Sequence, residues 1–320
     1  MAAETYGPTS GYDIVVTVDG RIIVVQDGEQ GSGDTWELKD TISSGATVEC
    51  STGAIVIAGN QATIESGTTI ECSTGAIAIT GPAATVSAGT TIAASTGALT
   101  IAGLQASISA GSTIAATTGA ITIAGKAATI SAGTTIECST GAVAITGVQA
   151  SISTGATIEC STGAVVITGL SATIAAGTTI ACSTGAITIA SYQAEVDTSG
   201  ATAVDCTVGQ IAIAGLQASI SAGSTIAAST GAIAITGNQA EIWQGTTIDC
   251  TAGAIAIASY PADVTAAVVV ECATGAIVIT GLQASIIDSE VPIGNVDITI
   301  TAAKPGLSIT GSKPTITITA

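Results

Sequence analysis

The stretch TTIECSTGAIAITG, from Thr68 to Gly81, returns 66 residues later as TTIECSTGAVAITG, starting at Thr134. Close variants fill the space between. A phrase recurring at a fixed period is the mark of a repeat architecture. The Cys72 slot sets the register: it holds Cys50, Cys72, Ala94, Ala116, Cys138, Cys160, Cys182, Cys206, Ala228, Cys250 and Cys272. Successive members are 22 residues apart, except for one step of 24 that coincides with an insertion in DTSGA (197–201). All eight cysteines fall in this one column.

Each rung carries three short alternating segments, such as TIEC (69–72), AIAIT (76–80) and AATVS (83–87). Period-two alternation of β-branched residues reads as strand. Gly75, Gly81 and Gly89 punctuate them, and glycine supplies the positive φ that tight corners need. One rung cannot bury its apolar side alone, so the phrase must recur for its neighbours to cover it. Ile70, Cys72, Ile77, Ile79, Ala84 and Val86 are expected to point inward. The Ala84 slot is Ala in every rung. The fold class is all-β: a right-handed, three-sided parallel β-helix of about eleven coils, 22 residues each. Handedness follows from the rule for parallel crossovers. Eleven rungs at the strand spacing predict a length of about 50 Å.

The ends break the pattern. Residues 1–40 contain YDIVVTVDGRIIVVQD, two alternating runs around Asp19-Gly20, a hairpin signal. They are expected to cap the β-helix (41–287) or attach it. Residues 288–320 leave the 22-residue register but still alternate, with two Lys-Pro pairs expected at edges or turns, and form a second cap or attachment segment.

Composition excludes several classes. The chain of 320 residues carries a net charge of −18, with only Arg21, Lys39, Lys126, Lys304 and Lys313 basic. No nucleic-acid partner is expected, because phosphate binding needs clustered cations. No run of apolar residues is long enough for a membrane helix, and the N-terminus does not read as a signal peptide. The chain has no His, so Ser-His-Asp and Cys-His centres cannot form. No paired carboxylates in a cleft and no phosphate loop were found, so no enzyme and no cofactor are expected. Cysteines 22 or 24 residues apart match no zinc pattern. Alternating with Ala in an inward slot, they read as free, buried small hydrophobes.

The outward slots carry what function there is. The middle outward slot of the first segment is acidic in seven of eleven rungs, including Glu49, Glu71, Glu137, Glu159, Asp205, Asp249 and Glu271. It reads as a solubilising stripe; shared calcium sites are the alternative, and one carboxylate per rung supplies few of the required ligands. A Gln column (Gln61, Gln105, Gln149, Gln193, Gln217, Gln239, Gln283) is expected to hydrogen-bond along the axis. The second segment differs. Its middle outward slot is Val56, Ala78, Thr100, Thr122, Ala144, Val166, Thr188, Ala212, Ala234, Ala256 and Val278, without a charge in any rung. Regular coils would make this a flat strip on the order of 1,000 Å², which usually means a protein interface. Ice-lattice contact and a bland exposed wall are the alternatives. Tyr192, Tyr260 and Trp243 stand beside it or on the third segment, as interface anchors or as packing over irregular corners.

Right-handed β-helices with small-residue rungs resemble the shafts of bacteriophage tail fibres and tailspikes, and virion decoration proteins. The ending LSITGSKPTITITA (307–320) is similar to the alternating Thr/Ile/Pro ends of phage structural proteins. The resemblance implies a virion component assembled in host cytoplasm, partnered with itself (a homotrimer or another homo-oligomer) and with other virion proteins. No catalytic motif of depolymerising tailspikes is present. The other function classes are an ice-binding or adhesive solenoid and a self-assembling extracellular filament.

Overall fold

In a computed structural model, residues 13–301 are described apart from short breaks, chiefly 19–20, 28–34, 197–201, 259–261, 266–268, 281–283 and 288–292, together with strands Gly306–Leu307 and Thr315–Thr319. The chain divides into two compact units, Met1–Val148 and Gln149–Ala320. It is an all-β parallel solenoid of about 9 turns, roughly 22 residues apart, against about eleven coils expected. No helix occurs among the described residues.

The register is set by repetition. In the second unit, strand Thr157–Ile174 pairs in parallel with Thr179–Val196, placing Cys160 opposite Cys182 and Val166 opposite Thr188. The next pairing spans the two-residue insertion and still places Cys182 opposite Cys206. Alignment therefore resumes on the far side of the inserted residues. In the first unit, Thr47–Ile64 pairs with Thr69–Thr80 in the same way, Ile55 opposite Ile77.

Burial follows the alternation. Strand Thr157–Ile174 buries Ile158 and Cys160, then Val165 and Ile167, then Ala172 and Ile174. The six inward residues expected from the first phrase, Ile70, Cys72, Ile77, Ile79, Ala84 and Val86, are all buried. Each buried Ile contributes roughly 1.5–3 kcal/mol, most of it offset by conformational entropy.

Three glycine columns do three different jobs. Gly75 and its counterparts hold φ from +128° to +147°. A Cβ on Gly97 would overlap the carbonyl oxygen of Gly75 and lie 2.5 Å from its carbonyl carbon. Here the neighbouring rung forbids a side chain as well as φ. Gly89 has φ +70°, but its Cβ would find nothing nearer than 3.9 Å, so conformation alone selects it. The Gly81 column was expected to supply positive φ and does not. Gly103 lies outside the left-handed region, and its Cβ would collide with the Gly81 carbonyl oxygen. Close approach of stacked backbones is the reason for glycine there.

The N-terminal runs form the expected hairpin: Asp13–Val18 pairs antiparallel with Arg21–Asp27, Val18 opposite Arg21. Arg21–Asp27 pairs antiparallel with Thr35–Ile42, which joins Thr47–Ile64 in parallel. At the other end the register shortens. Cys272 faces Ile293, 21 positions on, and Asp297 faces Thr315, 18 positions on. Parallel stacking nevertheless continues through these strands.

Candidate functional site

The second-segment face is built the same way in each unit. Inward Ile or Val residues anchor the segment, so the slot between them must point out. In the first unit Val56 stands opposite Ala78, Ala78 opposite Thr100, and Thr100 opposite Thr122. In the second unit Val166, Thr188, Ala212, Ala234, Ala256 and Val278 follow one another in register. These residues, and Ala144 in the first unit, are half-buried. The flanking outward slots are mostly small, as in Ala186 and Ala190, with exposed Gln210 the exception in the second unit.

Beside this face runs a column that the alternation does not reveal. It occupies the position after the Gly81-type corner. In the second unit it places Leu170, Tyr192 and Leu216 on successive rungs, exposed by 61%, 58% and 36%. Val208, 49% exposed, stands on the opposite edge of the same face. Apart from Ala252, its column otherwise holds Thr, whose hydroxyl can donate to a carbonyl of the preceding rung, as Thr184 does to Ser161 (3.1 Å). In the first unit the ridge is interrupted: Leu104 and Val148 are exposed, but Lys126 comes between them. The signal was in the sequence, in the residue after each corner glycine.

Tyr192 thus belongs to the edge of the second-segment face. Trp243, exposed by 49%, follows Ile242 at the end of the third segment and is not brought to that face. Tyr260 lies outside the described residues. Tyr192 follows Ser191, which replaces the corner glycine. Among the described residues, Ser191 Oγ is the one buried side-chain polar atom without a hydrogen-bond partner.

The remaining outward columns are structural. Gln193 Nε2 donates to Gln217 Oε1, and Gln217 Nε2 to Gln239 Oε1, both at 3.1 Å. The expected amide ladder is therefore present on these rungs. In the second unit Glu159, Asp205 and Asp249 alternate with Ala181 and Ala227. Two strand spacings, about 9.6 Å, separate each of these three from the next, whereas Glu271 stands directly opposite Asp249, one spacing away. The wider gap is near the Debye length in ordinary salt and too far for one calcium ion to bridge, and the adjacent Asp249 and Glu271 are two carboxylates where calcium takes six to eight oxygen ligands. No cluster of three or more metal-binding side chains occurs among the described residues.

A buried hydroxyl column was not anticipated. Thr68, Thr90, Ser112 and Thr134 in the first unit, and Thr178, Thr202, Ser224 and Thr246 in the second, are almost wholly buried. Their hydroxyls satisfy carbonyls where the third segment ends. Thr178 donates to Ala175 (2.7 Å) and to Ser153 on the preceding rung (3.3 Å). The Thr-Thr or Ser-Thr pair after the closing glycine is the sequence signal for it.

The described cysteines are free and buried. Several thiols donate to the glycine carbonyl of the rung before, as Cys138 does to Gly119 (3.4 Å). Burial pushes the Cys206 thiol up to about 11, with neighbouring Cys182 adding to the effect. Cys250 is pushed up to about 11 by burial and then by Cys272. A thiolate is the nucleophile and the metal ligand, so these thiols are poised for neither role.

No protein family, curated protein or solved structure matches this chain. No helix among the described residues is long and apolar enough to cross a membrane.

Proposed function

We propose that this protein is a non-enzymatic structural solenoid that works by offering its second-segment face to protein partners. One observation carries the reading. In a chain of net charge −18, every described second-segment slot from Val56 to Val278 is uncharged. Exposed Leu and Tyr residues line its edge in the second unit. Monomers rarely leave such a surface uncovered.

The finer geometry belongs to the same proposal. The three segments per rung form three walls, wound right-handed. The irregular strands at residues 1–40 and 288–320 cap or attach the shaft, protecting edges that would otherwise recruit other chains. The resemblance to phage fibre, spike and decoration proteins makes a virion the proposed setting. The test is to put a carboxylate on the face. Ala212→Glu should abolish incorporation into purified particles, whereas Thr173→Glu, on the third segment, should not. Equal incorporation of both variants, or absence of the wild-type chain from particles, overturns the reading.

A second reading has one observation in its favour. Thr100 and Thr122 stack in register on the first unit's flat face, the kind of ordered hydroxyl array that ice contact requires. Thermal hysteresis of the purified protein would support it, and its absence would remove it.

A further inference from the structure

We infer that the second unit's face pairs with the same face of a second copy of this chain, giving a two-fold dimer. This rests on the partner-contact reading and names the partner.

Charge selects the occupant. Among the described residues of the second unit, acids lie on the first segment (Glu159, Asp205, Asp249, Glu271), on the third (Glu195, Glu241, Asp263) and at Asp297, opposite Ala276 on the last strand of the second-segment stack. No described residue of that unit is basic, and the second segment carries no charge on the six rungs from Ala164–Thr168 to Ala276–Thr280. A basic partner would be drawn to the acidic segments and gain nothing on the neutral one. Two copies repel through their acidic segments, so the neutral face is where they can meet without opposing like charges. Face-to-face contact also turns the acidic segments of both copies away from each other.

Shape and size agree. Ala, Thr and Val slots, broken only by exposed Gln210, leave a low surface on which a like surface can rest at sheet-packing distance, about 10 Å between backbones. Leu170, Tyr192 and Leu216 rise along one edge and Val208 along the other. A two-fold contact is self-complementary, and a two-fold axis parallel to the stacking direction lays one copy's ridge along the other's Val208 edge. Six in-register second segments, from Ala164–Thr168 to Ala276–Thr280, span five strand spacings, about 24 Å. Edge to edge, Val208 to Leu216 covers roughly 26 Å of extended chain. The product, at most roughly 600 Å² because the chain turns at Gly209 and Gly215, meets the lower end of specific interfaces, about 600 Å² per partner. The first unit is not chosen because Lys126 breaks its ridge.

The test uses the full chain in sedimentation equilibrium. Wild type should be a dimer at micromolar concentration. Ala212→Glu and Leu216→Glu should each weaken it about a hundredfold or more, since a buried unpaired charge sits at the centre of the contact. Thr173→Glu should leave it unchanged. Circular dichroism establishes that each variant keeps its strand content. As a second measure needing no destabilising charge, Ala212→Cys should cross-link to its own copy under copper-phenanthroline oxidation, and Thr173→Cys should not. A monomeric wild type overturns the second-copy inference alone, because incorporation into particles is measured separately. A dimer that survives Ala212→Glu but is lost with Thr173→Glu overturns both.

Discussion

Gly97 offers the sharpest test of how the rungs stack. Its φ is +129°, and an added Cβ would overlap the Gly75 carbonyl oxygen and lie 2.5 Å from the carbonyl carbon. Real contacts need about a further ångström, so in Gly97→Ala the two rungs must part locally. The bonds tying them together include Ile77 N–H to the Ala98 carbonyl (2.9 Å) and Gly81 N–H to the Ala102 carbonyl (3.1 Å). Parting by an ångström or more takes such bonds out of range. Losing two of them at about 1 kcal/mol each, with about 1–2 kcal/mol for positive φ, gives roughly 3–4 kcal/mol. Gly89→Ala should cost only the conformational part, because its Cβ meets nothing nearer than 3.9 Å, and Gly89→Asn should cost less still. Solenoids unfold by neighbouring units, so the assay is hydrogen exchange resolved by rung, alongside thermal denaturation. Equal losses for Gly97→Ala and Gly89→Ala, or a loss below about 1 kcal/mol for Gly97→Ala, would refute the stacked-glycine reasoning.

Other outcomes follow from the same packing. Thr178→Val keeps the side-chain shape but removes a donor to the Ser153 carbonyl and the shorter of two donors to the Ala175 carbonyl, Thr202 being the other, and should cost about 1–3 kcal/mol by denaturant unfolding. Cys72→Ala should cost less than about 1.5 kcal/mol, because Ala94 and Ala116 already occupy equivalent slots. Ser191→Ala removes an unpartnered buried hydroxyl and should be neutral or stabilising by up to about 1 kcal/mol. Stability should fall as pH rises above 9, the ordinary thiol value, toward 11: unfolded thiols ionise there while folded Cys206 and Cys250, raised to about 11, hold their protons. A pH titration of the unfolding midpoint, compared with the Cys206→Ala, Cys250→Ala variant, isolates that contribution.

The core was legible because alternation and recurrence both report it. Ile70, Ile77 and Ala84 could be placed inward from spacing alone. Features at corners were less visible, since no period-two rule applies where the chain turns. Thr68 and Thr90 are buried there by backbone geometry that a polar residue ordinarily argues against. Leu170 and Leu216 are missed for the converse reason: period-two slots within segments pass over the residue between them, and Tyr192 of the same column stands out only as a rare aromatic. Gly81 was assigned the wrong cause, because a glycine needed for positive φ and one needed for close approach look alike in sequence.

The central claim is an in-register stack of rungs, and a distance measurement tests it most directly. With the eight cysteines replaced by alanine, spin labels go on Thr173 and Glu241, or on Thr173 and Ser285, diluted with unlabelled chain. These sites are linked through Glu195, Ser219 and Asp263 by three and five strand steps. Backbone separations of about 14 Å and about 24 Å are predicted. Broad distributions, or two distances that do not grow with the number of rungs between the labels, would contradict the account.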